Sequence, residues 1–179
     1  MKQLTPHDFT LVLERAAIRP RLRRTVKFVA ATGSMTTQDW HNRELLAIAD
    51  RSGNSGVLLI EIENRLYALA YELSPGIKDK TGRTKPVICD FCRTWQAGGN
   101  AARITFEKAT SVYHSVTFLC CADLDCSLHI RDLTSAAKTS RAQLREDMTL
   151  DQRIQRLKNR LHEVVTDLTA AEIELSAQC

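Results

Sequence analysis

Four cysteines in two close pairs form the one pattern in this chain that reads directly as chemistry. Cys89 and Cys92 stand in Val87-Ile88-Cys89-Asp90-Phe91-Cys92-Arg93, and Cys121 and Cys126 in Cys120-Cys121-Ala122-Asp123-Leu124-Asp125-Cys126-Ser127. A C-x2-C turn presents two sulfurs to one ion, zinc prefers thiolate, and a second pair closes the four-coordinate shell of a structural site. The spacing predicts one tetrahedral zinc ion. Four thiolates leave no coordination position for water or substrate, so the site is expected to hold the chain together rather than to react. A redox dithiol is the competing reading of C-x2-C. Against it, Cys92 runs on to Ala97-Gly98-Gly99-Asn100, and a Gly-Gly turn is a poor start for the helix that would lower a thiol pKa.

The elements that must position these sulfurs follow from their spacing. The 28 residues from Arg93 to Cys120 suffice for a knuckle, a β-hairpin and the start of a helix, the outline of a treble clef. Adjacent residues on a strand face opposite ways, so Cys120 and Cys121 cannot both reach the metal; Cys121 is the ligand chosen, and Cys120 reads as an ordinary buried cysteine. On one continuous helix Cys121 and Cys126 would point about 140° apart. Cys121 therefore precedes the helix, Asp123 or Asp125 is its N-cap, and Cys126 lies in its first turn. His129, at Cys126-x2-His129, and His114 are alternative ligands. Cys179 is terminal and reads as a free thiol.

Composition bounds the rest. A chain of 179 residues holds one ordinary domain or two small ones, and a metal staple suits a half whose own core would be limited. Hydrophobic residues make up 44% of it, and no apolar run approaches the roughly 18 residues that span a bilayer. No secretory signal pattern opens it, and six cysteines suit a reducing, cytoplasmic setting in which clustered thiols bind metal. Four thiolates and one dication together subtract two from the formal charge of +4, so global charge says little about partners.

Along the chain, Thr5-Pro6-His7-Asp8 is a capped helix start, with Phe9, Val12, Leu13, Ala16 and Ala17 on one apolar face. Arg19 to Lys27 is the densest positive cluster, either a patch for RNA or an acidic protein or a solvated helix face; no aromatic residue is interleaved to stack on bases. Trp40 to Asp50 reads as a helix with Trp40 in the core. Val57–Glu63 and Arg65–Tyr71 read as a hairpin that packs on the preceding helices. Ala102–Lys108 and Ser115–Cys120 are strands joined around Tyr113 and His114. Thr149 and Gln152 form a capping box, and Leu150, Ile154, Leu157, Leu161, Val164 and Leu168 make a heptad-like stripe. The stripe fits a helix packed on its own domain or, alternatively, a dimeric coiled coil.

The expected fold class is α+β: an N-terminal domain over residues 1–74, a polar linker over 75–86 with prolines, glycines and lysines, and a treble-clef zinc domain over 87–179 ending in a long amphipathic helix. No phosphate loop, catalytic triad motif or H-E-x-x-H sequence is present, and His7, His41 and His162 read as surface residues. An enzyme is not expected, nor a small-molecule substrate.

The segments Cys89-Asp90-Phe91-Cys92-Arg93-Thr94 with Gly98-Gly99, and Cys121 through Arg131, resemble the zinc-binding C-terminal domain of the bacterial elongation factor G-binding proteins, the FusB-type fusidic acid resistance family. The helix carrying Arg153, Arg156 and Arg160 is similar to the end of that domain. The resemblance is specific over residues 87–165. It implies that Cys89, Cys92, Cys121 and Cys126 hold zinc, that the finger grips elongation factor G and frees it from a drug-stalled ribosome, and that no bond is made or broken. Phe91 and Arg93 on the knuckle, with His129 and Arg131 beside the helix, are the contact residues it implies. RNA or ribosome binding through the basic segments is the alternative. His129, in place of an aromatic residue, and the extra thiol of Cys120 depart from the family pattern.

Overall fold

Thr5 and Asp8 cap the first helix reciprocally: Thr5 Oγ1 accepts from the Asp8 N–H at 3.2 Å, and Asp8 Oδ2 accepts from the Thr5 N–H at 2.9 Å. The computed structural model describes residues 1–16, 18–107, 115–144 and 146–176, with side chains as far as 168. Tyr113, His114 and Cys179 lie outside the described residues. Helix α1 (Pro6–Arg15) leads into three short helices, α2 (Pro20–Thr25), α3 (Phe28–Thr32) and α4 (Thr37–His41). Phe9 stacks on Phe28 with centroids 4.7 Å apart, Trp40 lies 6.2 Å beyond, and the tryptophan is a core residue at 2% exposure.

The helix expected from Trp40 to Asp50 ends early. Residues Leu45–Ala49 form strand β1 instead. A short apolar run does not reveal its period, and here both of its faces are covered: Leu45 joins one core cluster, Leu46 and Ile48 the other. Strands β2 (Ser55–Ile62) and β3 (Arg65–Pro75) make the expected hairpin. Its two-residue turn, Glu63 and Asn64, has φ of 49° and 62°, the mirror-image turn whose twist matches that of the strands.

Two short strands, β4 (Val87–Ile88) and β5 (Trp95–Gln96), bracket the first cysteine pair, and β6 (Ala101–Glu107) and β7 (Ser115–Cys121) follow. The main sheet is antiparallel in the order β1-β2-β3-β6-β7. Because Tyr71 to Pro75 of β3 pair with Phe106 to Ala102 of β6, one sheet carries the N-terminal strands and those after the knuckle. Residues 76–86 leave this sheet as an ordered loop. Asp79 Oδ1 accepts from the Thr81 and Arg83 N–H groups, and Lys78 bridges to Thr84. A Cβ on Gly98 would lie 2.6 Å from Thr84 Cβ, so only glycine admits this loop against the finger.

Alternation along the strands gives the sheet two buried faces. Leu46, Ile48, Val57, Leu59 and Ala68 pack under the N-terminal helices, while Leu45, Leu58, Ile60, Ile104 and Phe106 face the cysteines and the last helix. Beyond β7 come α5 (Cys126–His129), α6 (Ser135–Leu144) and α7 (Leu150–Ser176). Thr149 and Gln152 cap α7 as expected, the Thr149 N–H donating to Gln152 Oε1 at 2.8 Å. Leu157, Leu161, Val164 and Leu168 are buried in the sheet core, so the heptad-like stripe serves the chain's own interior. The fold is α+β, a sheet between N-terminal helices on one face and the finger with α7 on the other.

Leu161 is fully buried and Leu150 is 43% exposed. Leu161→Ala is therefore expected to lower the unfolding free energy by about 2–5 kcal/mol. Leu150→Ala should change it by less than about 0.5 kcal/mol. Denaturant titration of the metal-loaded protein measures both.

Candidate metal centre

Three chain elements, the knuckle, the end of β7 and the start of α5, deliver the four sulfurs. Within the knuckle, the Arg93 N–H donates to the Cys89 carbonyl at 3.0 Å and the Cys89 N–H to the Thr94 carbonyl at 3.0 Å, with Arg93 at φ 61° closing the turn. Asp90 fastens this turn to β7: its N–H donates to the Leu119 carbonyl at 2.8 Å, and its Oδ2 accepts from the Leu119 N–H at 2.7 Å. Cys121 is the last residue of β7, and Cys126 the first of α5, with Asp125 at the N-cap position. The sharp turn between them carries Leu124 at φ 55°. The two ligands thus sit on different elements, as the angle between their positions required.

Cys89, Cys92, Cys121 and Cys126 converge, all buried, with their sulfurs within 4.8 Å of one another. The Cys92–Cys121, Cys89–Cys126 and Cys121–Cys126 sulfur separations are 3.5, 3.7 and 3.9 Å. A tetrahedron with Zn–S bonds of about 2.3 Å has edges of about 3.8 Å, so the quartet fits one structural zinc ion. Four such thiols cannot all ionise without a cation. Burial opposes ionisation of Cys92, yet contacts from Cys121, Cys126 and Cys89 hold its pKa well below the thiol range; contacts with Cys121, Cys89 and Cys92, and then burial, drive Cys126 well above it. A shared dication removes that conflict. Gln96, 1% exposed, donates Nε2–H to the Cys121 sulfur at 3.2 Å.

Cys120 faces the other way. Its thiol points at the Ala102 carbonyl 3.6 Å off, and burial pushes its pKa well above the ordinary value. It is the buried, non-ligating cysteine the strand argument requires.

The residues implied as a contact surface separate sharply. Phe91 is 2% exposed and packs on Phe118 with centroids 5.5 Å apart, so it is a core residue of the finger. His129 is 1% exposed beside the sulfurs. Asp123 Oδ2 lies 3.4 Å from its Nε2; burial lowers the ring's pKa, but Asp123 and the Cys92 sulfur outweigh it and push it up to about 10. Arg131 is spent internally, with Nη2 at 2.5 Å from Glu44 Oε1 and Nη1 donating to Glu44 Oε2 and to the Ser127 carbonyl. Arg93 alone of the four is exposed. A short motif fixes which residues flank the ligands but not which way they face, and the partners of Arg131 lie far away in sequence.

Sequence reasoning also missed the groups joining the finger to the N-terminal layer. Ser127 Oγ accepts from the Glu44 N–H at 2.9 Å, and Arg43 pairs with Asp125 at 2.7 Å. Arg153 and Arg141 both reach Asp132 after α5, and Arg156 donates to the Cys92 carbonyl at 3.2 Å. No local motif announces pairs separated by 87 residues, such as Arg131 with Glu44.

The sequence model of a family described as the FBP C-terminal treble-clef zinc-finger matches residues 15–168. No curated protein and no solved structure matches the chain.

Purified protein should carry one zinc per chain by elemental analysis. Cys121→Ser is expected to lose the metal and the cooperative unfolding transition, whereas Cys120→Ser keeps both. Equal damage from the two would reverse the ligand assignment. Arg131→Met strands the buried Glu44 carboxylate and should cost about 3–5 kcal/mol, while Arg131→Met with Glu44→Gln recovers most of that loss.

Proposed function

From the premise that the chain belongs to the FBP C-terminal treble-clef zinc-finger family, the FusB-type family its finger resembles, we propose that it is a non-enzymatic binding protein whose partner is elongation factor G. The supporting observation is the closed sulfur quartet. Four buried thiolates complete the coordination shell, so the ion braces a surface and offers no site for substrate. Binding at that surface would favour release of the factor from the ribosome, in the cytoplasm. No helix among the described residues is long and apolar enough to cross a membrane, which agrees with a partner in solution.

The surface for such a contact is the outer side of the knuckle against α7. Asp90, Arg93, Met148, Gln155, Asn159 and Arg160 line a shallow groove there. Arg156 is engaged by Glu146 and the Cys92 carbonyl, and Arg160 by Glu163 and the Phe118 ring, so both are fixed in place. Arg93 makes no ion pair among the described residues and stands exposed on the knuckle. It is the contact residue retained from the four.

A second reading, RNA or ribosome contact, has its own support: Arg21, Arg24 and Lys27 are exposed on and after α2 and form no ion pair among the described residues. It predicts affinity that falls linearly with log salt as counterions are released, with no protein partner needed.

Immobilised elongation factor G is expected to capture the zinc-loaded protein, and Arg93→Glu should weaken capture at least about tenfold while leaving zinc content unchanged, the loss of roughly one strong contact. Failure of the metallated wild type to bind, with salt-dependent RNA binding intact, would favour the second reading.

A further inference from the structure

His129 is a buried polar side chain beside the metal centre that neither the ligand set nor the proposed contact surface uses. It lies one helical turn after Cys126 on α5, with no exposed side-chain surface, and neither ring nitrogen has a well-formed hydrogen-bond partner. Leaving a buried imidazole nitrogen unpaired costs about 1–3 kcal/mol. The groups around the ring are acceptors. Asp123 Oδ2 is 3.4 Å from Nε2, the Asp123, Cys121 and His129 donor atoms lie within 4.8 Å of one another, and the Cys92 sulfur, after Asp123, helps raise the ring's pKa.

Four thiolates around a dication leave two negative charges in a site whose cysteines are at most 2% exposed, and such charge is costly unless N–H groups point at the sulfurs. Gln96 already donates to Cys121. Its neighbour across the 3.5 Å sulfur–sulfur edge, Cys92, needs the matching donor. Direct ligation by the ring is not required, because the quartet already stands at tetrahedral separations.

We propose that His129 is a positioning residue of the metal centre: its doubly protonated ring gives one N–H to the Asp123 carboxylate and the other to the Cys92 thiolate. The order carboxylate, imidazolium, thiolate, metal holds the sulfur's direction and draws off part of its charge, as outer-shell partners do for other metal ligands. The inference rests on the fit of zinc to the quartet and is independent of any partner.

The test uses the full chain. His129→Phe, which fills the space without a donor, is expected to bind zinc about 10–100-fold more weakly in competition with a chelator, and His129→Gln, which keeps a donor, to lose much less. With cobalt in place of zinc, the sulfur-to-metal charge-transfer bands of His129→Phe should move to lower energy, because an unbonded thiolate gives up its electrons more readily. Unchanged affinity and unmoved bands overturn the proposal. Should His129→Phe fail to fold, the wild type decides: loaded with NMR-active cadmium, its His129 ring N–H should show scalar coupling to the metal. Absence of that coupling, or a nitrogen in the metal's first shell by X-ray absorption, overturns it.

Discussion

Mutual repulsion among four buried thiolates, relieved only by a dication, is the constraint from which the rest of this structure follows. Phe91, Leu124 and Ile130 pack around the knuckle, the end of β7 and the start of α5, but apolar packing cannot hold four thiolates at these separations. Metal–sulfur bonds do so, and the free energy of metal binding is therefore folding free energy for the finger. Asp90 locks the knuckle to β7, and Arg156 ties the carbonyl of Cys92 to α7. These directed contacts make the site rigid without making it reactive.

Order spreads from the metal through α5. The helix is a single turn, yet it and its flanking residues meet the start of β1 and the residues before it: Ser127 Oγ takes the N–H groups of Glu44 and Leu45, Asp125 takes Arg43, and Arg131 takes the carboxylate of Glu44. Buried ion pairs add little net stability over an apolar substitute, but breaking one leaves a stranded charge. Such contacts specify how two layers meet rather than how strongly. The strand they fix covers both sheet faces, since Leu45 looks toward the metal side and Leu46 and Ile48 toward the N-terminal helices.

How much of this was legible in the sequence depended on the range of the interaction. The sulfur quartet was legible because ligand spacing is constrained by the ion's geometry, and strand alternation showed that only one of Cys120 and Cys121 could join it, though not which. The reciprocal caps at Thr5 and Thr149 and the β2–β3 hairpin were legible because their partners lie within a few residues. Strand β1 was not, since five apolar residues satisfy a helix as well as a strand until the layers on both sides are known. Nor were the inward settings of Phe91, His129 and Arg131. Their orientation is decided by Phe118, by the sulfurs and by Glu44, none of which a local pattern identifies.

Burial of those three side chains changes what kind of surface the finger can offer. With Phe91 packed inside, its ring offers no anchor at the knuckle, and the groove beside it presents Arg93 and the amides of Gln155 and Asn159. Arg93 sits at φ 61°, a conformation that costs a non-glycine residue roughly 1 kcal/mol or more, and the knuckle's paired hydrogen bonds hold it there. A guanidinium on so fixed a base loses less freedom on binding than one on a mobile loop, which favours contact with a carboxylate. The knuckle's hydrogen bonds share the work with the ion: without metal, repulsion among the thiolates loads the turn they hold, and the direction of the charge that Arg93 projects is less well defined.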